Sequence, residues 1–174
     1  MTMHIGDRVV HPRHGLGNVM KVDERQFEPG VTRQYYEVSV SGSTVWVPLD
    51  LHSSGLRKLS AKREIAHCRE ILKSSAGPLG DNLRLWQSEL SSRLKLGTIG
   101  AHCEVVRDLS AAHRRKRLSG AIAVFMQVTQ DVLCQEWAEV EDTSVAKAAS
   151  EINSLLESTD PGSHVAATQM KKTR

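Results

Sequence analysis

Three kinds of side chain in this sequence could do chemistry: histidines, neighbouring acids and runs of cations. Eight histidines are present, and His11 and His14 flank a turn in HPRH. A metal site needs three or four convergent ligands; no third stands near this pair, so turn residues on a solvated rim explain them. Asp23 and Glu24 adjoin, so along a strand they face opposite ways and cannot share one substrate as acid and base. The chain has no glycine-rich phosphate loop ending in Lys-Ser or Lys-Thr, no dinucleotide fingerprint opening a helix and no nucleophile elbow, and HGLG is too short to be any of these. Cys68, Cys103 and Cys134 are far apart within helical patterns, which suits small buried apolar residues rather than a zinc site or disulfide framework. These features argue against an enzyme, and no catalytic residue, metal ligand or cofactor is expected.

The cations are more informative. HRRKR at 113–117 is the densest basic run. At a helix end it offsets the partial negative charge of the last carbonyls, and it could equally meet phosphates. Arg84, Arg93 and Lys95 lie on the preceding helix with Trp86. Cations beside an aromatic are used where a side chain reaches into a groove or stacks on a base. The formal net charge is only +3, but residues 60–120 hold twelve Lys/Arg against six Asp/Glu, while residues 121–157 hold one Lys against seven acids. A polyanion could therefore approach only the middle of the chain.

The elements that must position these residues follow from periodicity. At 174 residues the chain has room for one ordinary domain or two small ones, and a change of pattern near residue 60 favours two. Composition is that of a soluble globular protein, 40% hydrophobic and 25% charged. No stretch approaches the ~20 apolar residues of a bilayer span, and MTMHIGDRVV lacks a basic head before an apolar run, so the cytoplasm is the expected compartment. Within 1–59, the runs DRVVH, LGNVMKVDER, RQYYEVSVS, STVWVPL and GLRKL read as five short strands. A strongly bent sheet closing as a small barrel is the compact solution, with Gly15 and Gly17 permitting a sharp bend between the first two strands. Alternation puts Tyr36, Val38 and Val40 on the core face and turns Trp46 away from the valines, as a lid over an open end or as an exposed contact. Pro48 cannot donate to a ladder, which suits an edge strand.

From Ser60 the period becomes helical. Ser60 can cap a first helix with Ile65, Cys68, Ile71 and Leu72 on one face. After SSAGPLGDN, Asp81 can cap a second that ends near Gly97. A third, TIGAHCEVVRDLSAAHRR, places Ile99, Cys103, Val106 and Leu109 or Ser110 along one stripe. Ser119 can cap a fourth, the most apolar and the expected centre of the bundle, and Thr143 opens a fifth. The expected fold class is α+β, a five-stranded barrel over 1–59 followed by an all-α domain of about five helices over 60–157, with 158–174 as a flexible tail.

The order of elements and several motifs resemble the CarD/CdnL family of bacterial transcription regulators, whose N-terminal module is shared with the transcription-repair coupling factor. GDRVVHPRHGLG, YYEVSV, the VPLD around Pro48, GLRK and EVVRDLSAAHRRKRLS carry the resemblance, which spans residues 4–157. It implies a Tudor-like barrel that docks on the RNA polymerase β subunit partly by strand pairing, and a helical domain that touches promoter DNA and stabilises the open complex, in a cytoplasmic, nucleoid-associated monomer. Arg25 falls where the family has a polymerase-contacting arginine, and Trp46 where several members have another, which exchanges charge-assisted hydrogen bonds for aromatic contact area. The family's DNA-wedge tryptophan corresponds to Leu83. Trp86 follows one turn later, within about 60° on the same face, where it could substitute for the wedge or pack in the core against Leu90. Arg84 and Arg93 stand for the basic residues beside the wedge, and Arg114 and Arg115 complete the expected DNA surface. An alternative is an adaptor that keeps the docking barrel but uses its helices to hold another protein, with little DNA contact.

Overall fold

The computed structural model describes residues 3–49, 55–77 and 83–158. Strands β1 (Arg8–His11), β2 (Gly15–Glu28), β3 (Val31–Val40), β4 (Ser43–Pro48) and β5 (Arg57–Lys58) form one antiparallel sheet in the order β4-β3-β2-β1-β5. The expected Tudor-like arrangement is observed, and Pro48 does close an edge strand. Val9, Val19, Tyr36, Val38, Val40, Val47, Met3 and Leu56 fill the concave side. Gly17 lets β3 lie close against β2: a Cβ there would stand 2.7 Å from the Ser39 carbonyl oxygen and 2.8 Å from methyls of Val38 and Val40. Beyond Val19, β2 keeps only β3 as a partner, so the two run on as a twisted arm with bulges between Val19 and Lys21 and between Arg25 and Glu28.

Five helices follow: α1 (Lys62–Lys73), α2 (Leu83–Leu94), α3 (Ile99–Arg115), α4 (Gly120–Glu141) and α5 (Val145–Glu157). The stripes read from the sequence are those that pack. Ile65, Cys68 and Leu72 of α1 meet Ile99, Cys103 and Val106 of α3, Leu133 and Trp137 of α4, and Ile152 of α5 in the main core. All three cysteines are buried and free. Leu90 and Leu94 of α2 form a second core with Val105, Leu109 and Ile122, so α4 joins both cores.

Three helix starts differ from expectation, the first being α4, where Ser119 stands at the N-cap but its side chain makes no capping hydrogen bond among the described residues. Ser60 does not cap α1; Ala61 occupies the N-cap and its N–H donates to the Glu64 carboxylate at 2.7 Å. Ser60 is engaged elsewhere, its N–H donating to Glu136 and its hydroxyl accepting from Arg57. Ser144 rather than Thr143 caps α5, accepting from the Lys147 N–H at 3.2 Å. Thr98 caps α3 by accepting from the Ala101 N–H, and Gly97, at φ +67°, ends the turn after α2. Asp81 and the tail from 159 onward lie outside the described residues.

The sheet and the helices meet through buried charge. Both Arg57 Nη atoms donate to the two carboxylate oxygens of Glu136, whose side chain is wholly buried in α4. Arg8 forks onto Glu139 one turn further at 3.0 and 3.1 Å. At Gly15, φ +83°, a Cβ would fall 2.4 Å from the Gln135 side-chain oxygen, so β2 lies directly on α4.

Candidate docking and nucleic-acid surfaces

The convex face of the sheet gathers the first group of expected site residues. Register places Lys21, Glu37 and Trp46 in one row across β2, β3 and β4. Trp46 is half-buried on this face, and the Arg25 guanidinium lies over its ring at 4.3 Å from the centroid, with the Lys21 ammonium at 5.7 Å. Asp23 holds Arg25 from the side at 3.2 Å and Lys21 at 3.2 Å, and Lys21 also reaches Glu37 at 3.2 Å. The Lys21 hydrogen bond depresses the Asp23 pKa, and the Asp23 and Glu37 bonds raise that of Lys21. Thus Arg25 and Trp46, separate in sequence, form one stacked pair beside the β4 edge. Next along the arm, Phe27 meets Tyr35 edge-on at 5.0 Å, and Phe27 is 59% exposed. An exposed aromatic beside a cation and an open strand edge is a surface suited to another protein.

The second group is less uniform. The side chains of Leu83 and Arg84 lie outside the described residues. Leu85 is exposed, while Trp86 is half-buried with its indole N–H enclosed and no acceptor among the described residues. Arg93 points inward: Nη1 donates to Asp108 and Nη2 to Glu104, each at 2.9 Å. Its fork is therefore occupied as a brace of α2 against α3. Arg114 and Arg115, with Lys116 and Arg117, are exposed at the end of α3. His113 turns away from that run, its Nδ1 accepting from the Leu118 N–H at 3.2 Å.

Asp108, which sequence reasoning passed over, organises that region. Only 2% exposed, it accepts from Arg93, from Arg107 Nε at 2.9 Å and from the Gly77 N–H at 3.0 Å, while Arg107 also donates to Ser74. One carboxylate thus fixes the segment leading out of α1 and the braced end of α2. A signal was present: Asp108 adjoins Leu109 on the buried side of α3, and an acid there must be paired. Glu136 gives the same signal beside Trp137. His11 and His14 rings touch at 4.5 Å, and among the described residues no group of three or more His, Cys, Asp or Glu could hold a metal ion. No helix among them is long and apolar enough to cross a membrane.

Comparison with known proteins agrees with this two-part organisation. A family model described as the CarD-like/TRCF RID domain matches residues 3–60, and a second, described as CarD, C-terminal domain, matches residues 67–153. The chain is 28% identical over 138 residues to "Putative transcription factor YdeB" of Bacillus subtilis (strain 168), covering 76% of this chain and 88% of that protein.

Proposed function

The chain belongs to the CarD-like family of transcription factors that interact with RNA polymerase, and from that premise we propose that it docks on the polymerase β subunit through the convex face of β2, β3 and β4 and brings its helices to promoter DNA, stabilising the open complex. The observation that carries the reading is the stacked pair of Arg25 and Trp46 beside the β4 edge. A partner strand can add to that edge while Arg25, already ordered by the ring and by Asp23, meets an acidic group without a further loss of side-chain freedom. Polymerase docking then raises the effective concentration of the helices at DNA, so weak phosphate contacts from Arg114 and Arg115 suffice.

The adaptor reading draws on two observations: Arg93 is committed to Glu104 and Asp108, and Trp86 is half-buried. Two variants separate the possibilities. Arg25→Glu should abolish capture of the isolated β-subunit lobe; retained capture removes the docking site. Trp86→Ala should reduce open-complex lifetime on a promoter fragment while leaving capture intact, and an unchanged lifetime favours the adaptor.

A further inference from the structure

A groove of about 410 Å³ opens where the β1–β2 turn meets α2 and α4, and neither surface described above uses it. His11 and Arg13 stand on the sheet side, Leu94 and Lys95 at the end of α2, and Val124 and Phe125 of α4 form the floor. Gly55 keeps the walls at a fixed spacing: a Cβ there would lie 3.0 Å from Pro12 Cγ and 3.2 Å from Lys95 Cα. Val124 is 64% exposed. No acid is among the lining residues described. Arg13 and Lys95 are both exposed at the rim, and neither forms an ion pair among the described residues.

His11 adds an uncharged donor. Its Nδ1 accepts from the Arg13 N–H at 3.1 Å, so the ring proton resides on Nε2. Burial, with the charges of His14 and Arg13, holds its pKa at about 4, and the ring is neutral near pH 7. An apolar floor, a cation on each wall and a neutral N–H beside Arg13, in a volume within the range of small-molecule sites, define a ligand by complementarity.

We propose that this groove binds a small organic anion with an apolar body, the hydrocarbon portion lying on Leu94, Val124 and Phe125 and a carboxylate, sulfonate or phosphate group facing Arg13 and Lys95. Because one wall is the β1–β2 turn and the other is α2, occupancy ties the docking domain to the helix that carries Trp86.

Anilinonaphthalene sulfonate, an aromatic anion that brightens in apolar sites, serves as the probe with the full chain. Titration should saturate at one site, and uncharged N-phenylnaphthylamine should bind at least tenfold more weakly. Val124→Asp and the pair Arg13→Glu with Lys95→Glu should each weaken the sulfonate tenfold or more, whereas Val145→Asp, an exposed valine on α5 outside the groove, should change it less than twofold. Circular dichroism and melting of the variants establish that they fold. Linear, unsaturable fluorescence, equal binding of the uncharged probe, or insensitivity to the groove substitutions would each overturn the proposal. So would displacement of the probe by duplex DNA or by an acidic peptide in preference to small aromatic carboxylates.

Discussion

Replacing Glu136 by Gln isolates the contribution of the junction between sheet and helices. The substitution keeps the shape of the side chain and removes its charge, leaving the Arg57 guanidinium with 9% side-chain exposure facing a neutral amide. Three further groups depend on the carboxylate: the Ser60 N–H at 3.2 Å, the Ser60 hydroxyl held by Arg57, and the Lys58 carbonyl that Arg57 also reaches. Removing one partner of a buried, hydrogen-bonded ion pair costs about 3–5 kcal/mol, because the remaining charge stays desolvated. At this chain length about 1 kcal/mol moves the melting midpoint by ~2–4 °C, so Glu136→Gln should lower it by roughly 6–20 °C. The assay is thermal melting followed by helical circular dichroism, with urea titration for the free energy. The double variant Arg57→Met with Glu136→Leu should recover most of the loss, since apolar residues of similar size replace a buried pair at little or no cost. A midpoint within 2 °C of wild type for Glu136→Gln, or a double variant as unstable as the two single changes added together, would refute the view that paired charge holds this seam.

Other consequences follow from single groups. His102 is 1% exposed, neither ring nitrogen has a hydrogen-bond partner among the described residues, and burial, with the charge of Arg57, lowers its pKa to about 4. The unfolded chain therefore binds the extra proton first, so stability is complete above pH ~6.5 and falls as pH drops toward ~4, by up to about 3 kcal/mol. His102→Met should raise the melting temperature more at pH 5 than at pH 7.5, and an equal rise at both would count against it. Asp108→Asn should cost about 3 kcal/mol in urea unfolding and accelerate amide exchange at Gly77, because Arg93 and Arg107 lose their shared partner. Trp86→Phe removes an enclosed N–H that has no acceptor among the described residues and should leave stability unchanged or raise it by about 1 kcal/mol; a marked loss would show that the indole N–H is satisfied in solution.

What could be read in advance was whatever depends on local periodicity. Ile65, Cys68 and Leu72 recur at helical spacing and pack as that spacing requires. Tyr36, Val38 and Val40 alternate and line the core of the sheet. What escaped was decided by partners distant in the chain. Ser60 had the right position for a cap, but Arg57 and Glu136 compete for it, and no local rule reports a residue 76 positions away. Arg93 read as a cation available to phosphate, yet its partners Glu104 and Asp108 lie on the next helix. The acid-rich character of α4 was visible, but the inward turn of Glu136 depends on Arg57 arriving from β5. Trp46 was correctly turned from the valines; that Arg25 would cover it depended on the twist of the arm.

The Arg57–Glu136 pair also makes the two halves unequal in autonomy. Detached after β5, the sheet would keep its valine core and release Arg57 into water, where a guanidinium is at ease. The helical part alone would retain a carboxylate on the floor of an apolar socket, without the guanidinium that now pairs with it, and would have to open to admit solvent. The bundle is thus completed by the strand that brings Arg57 to Glu136.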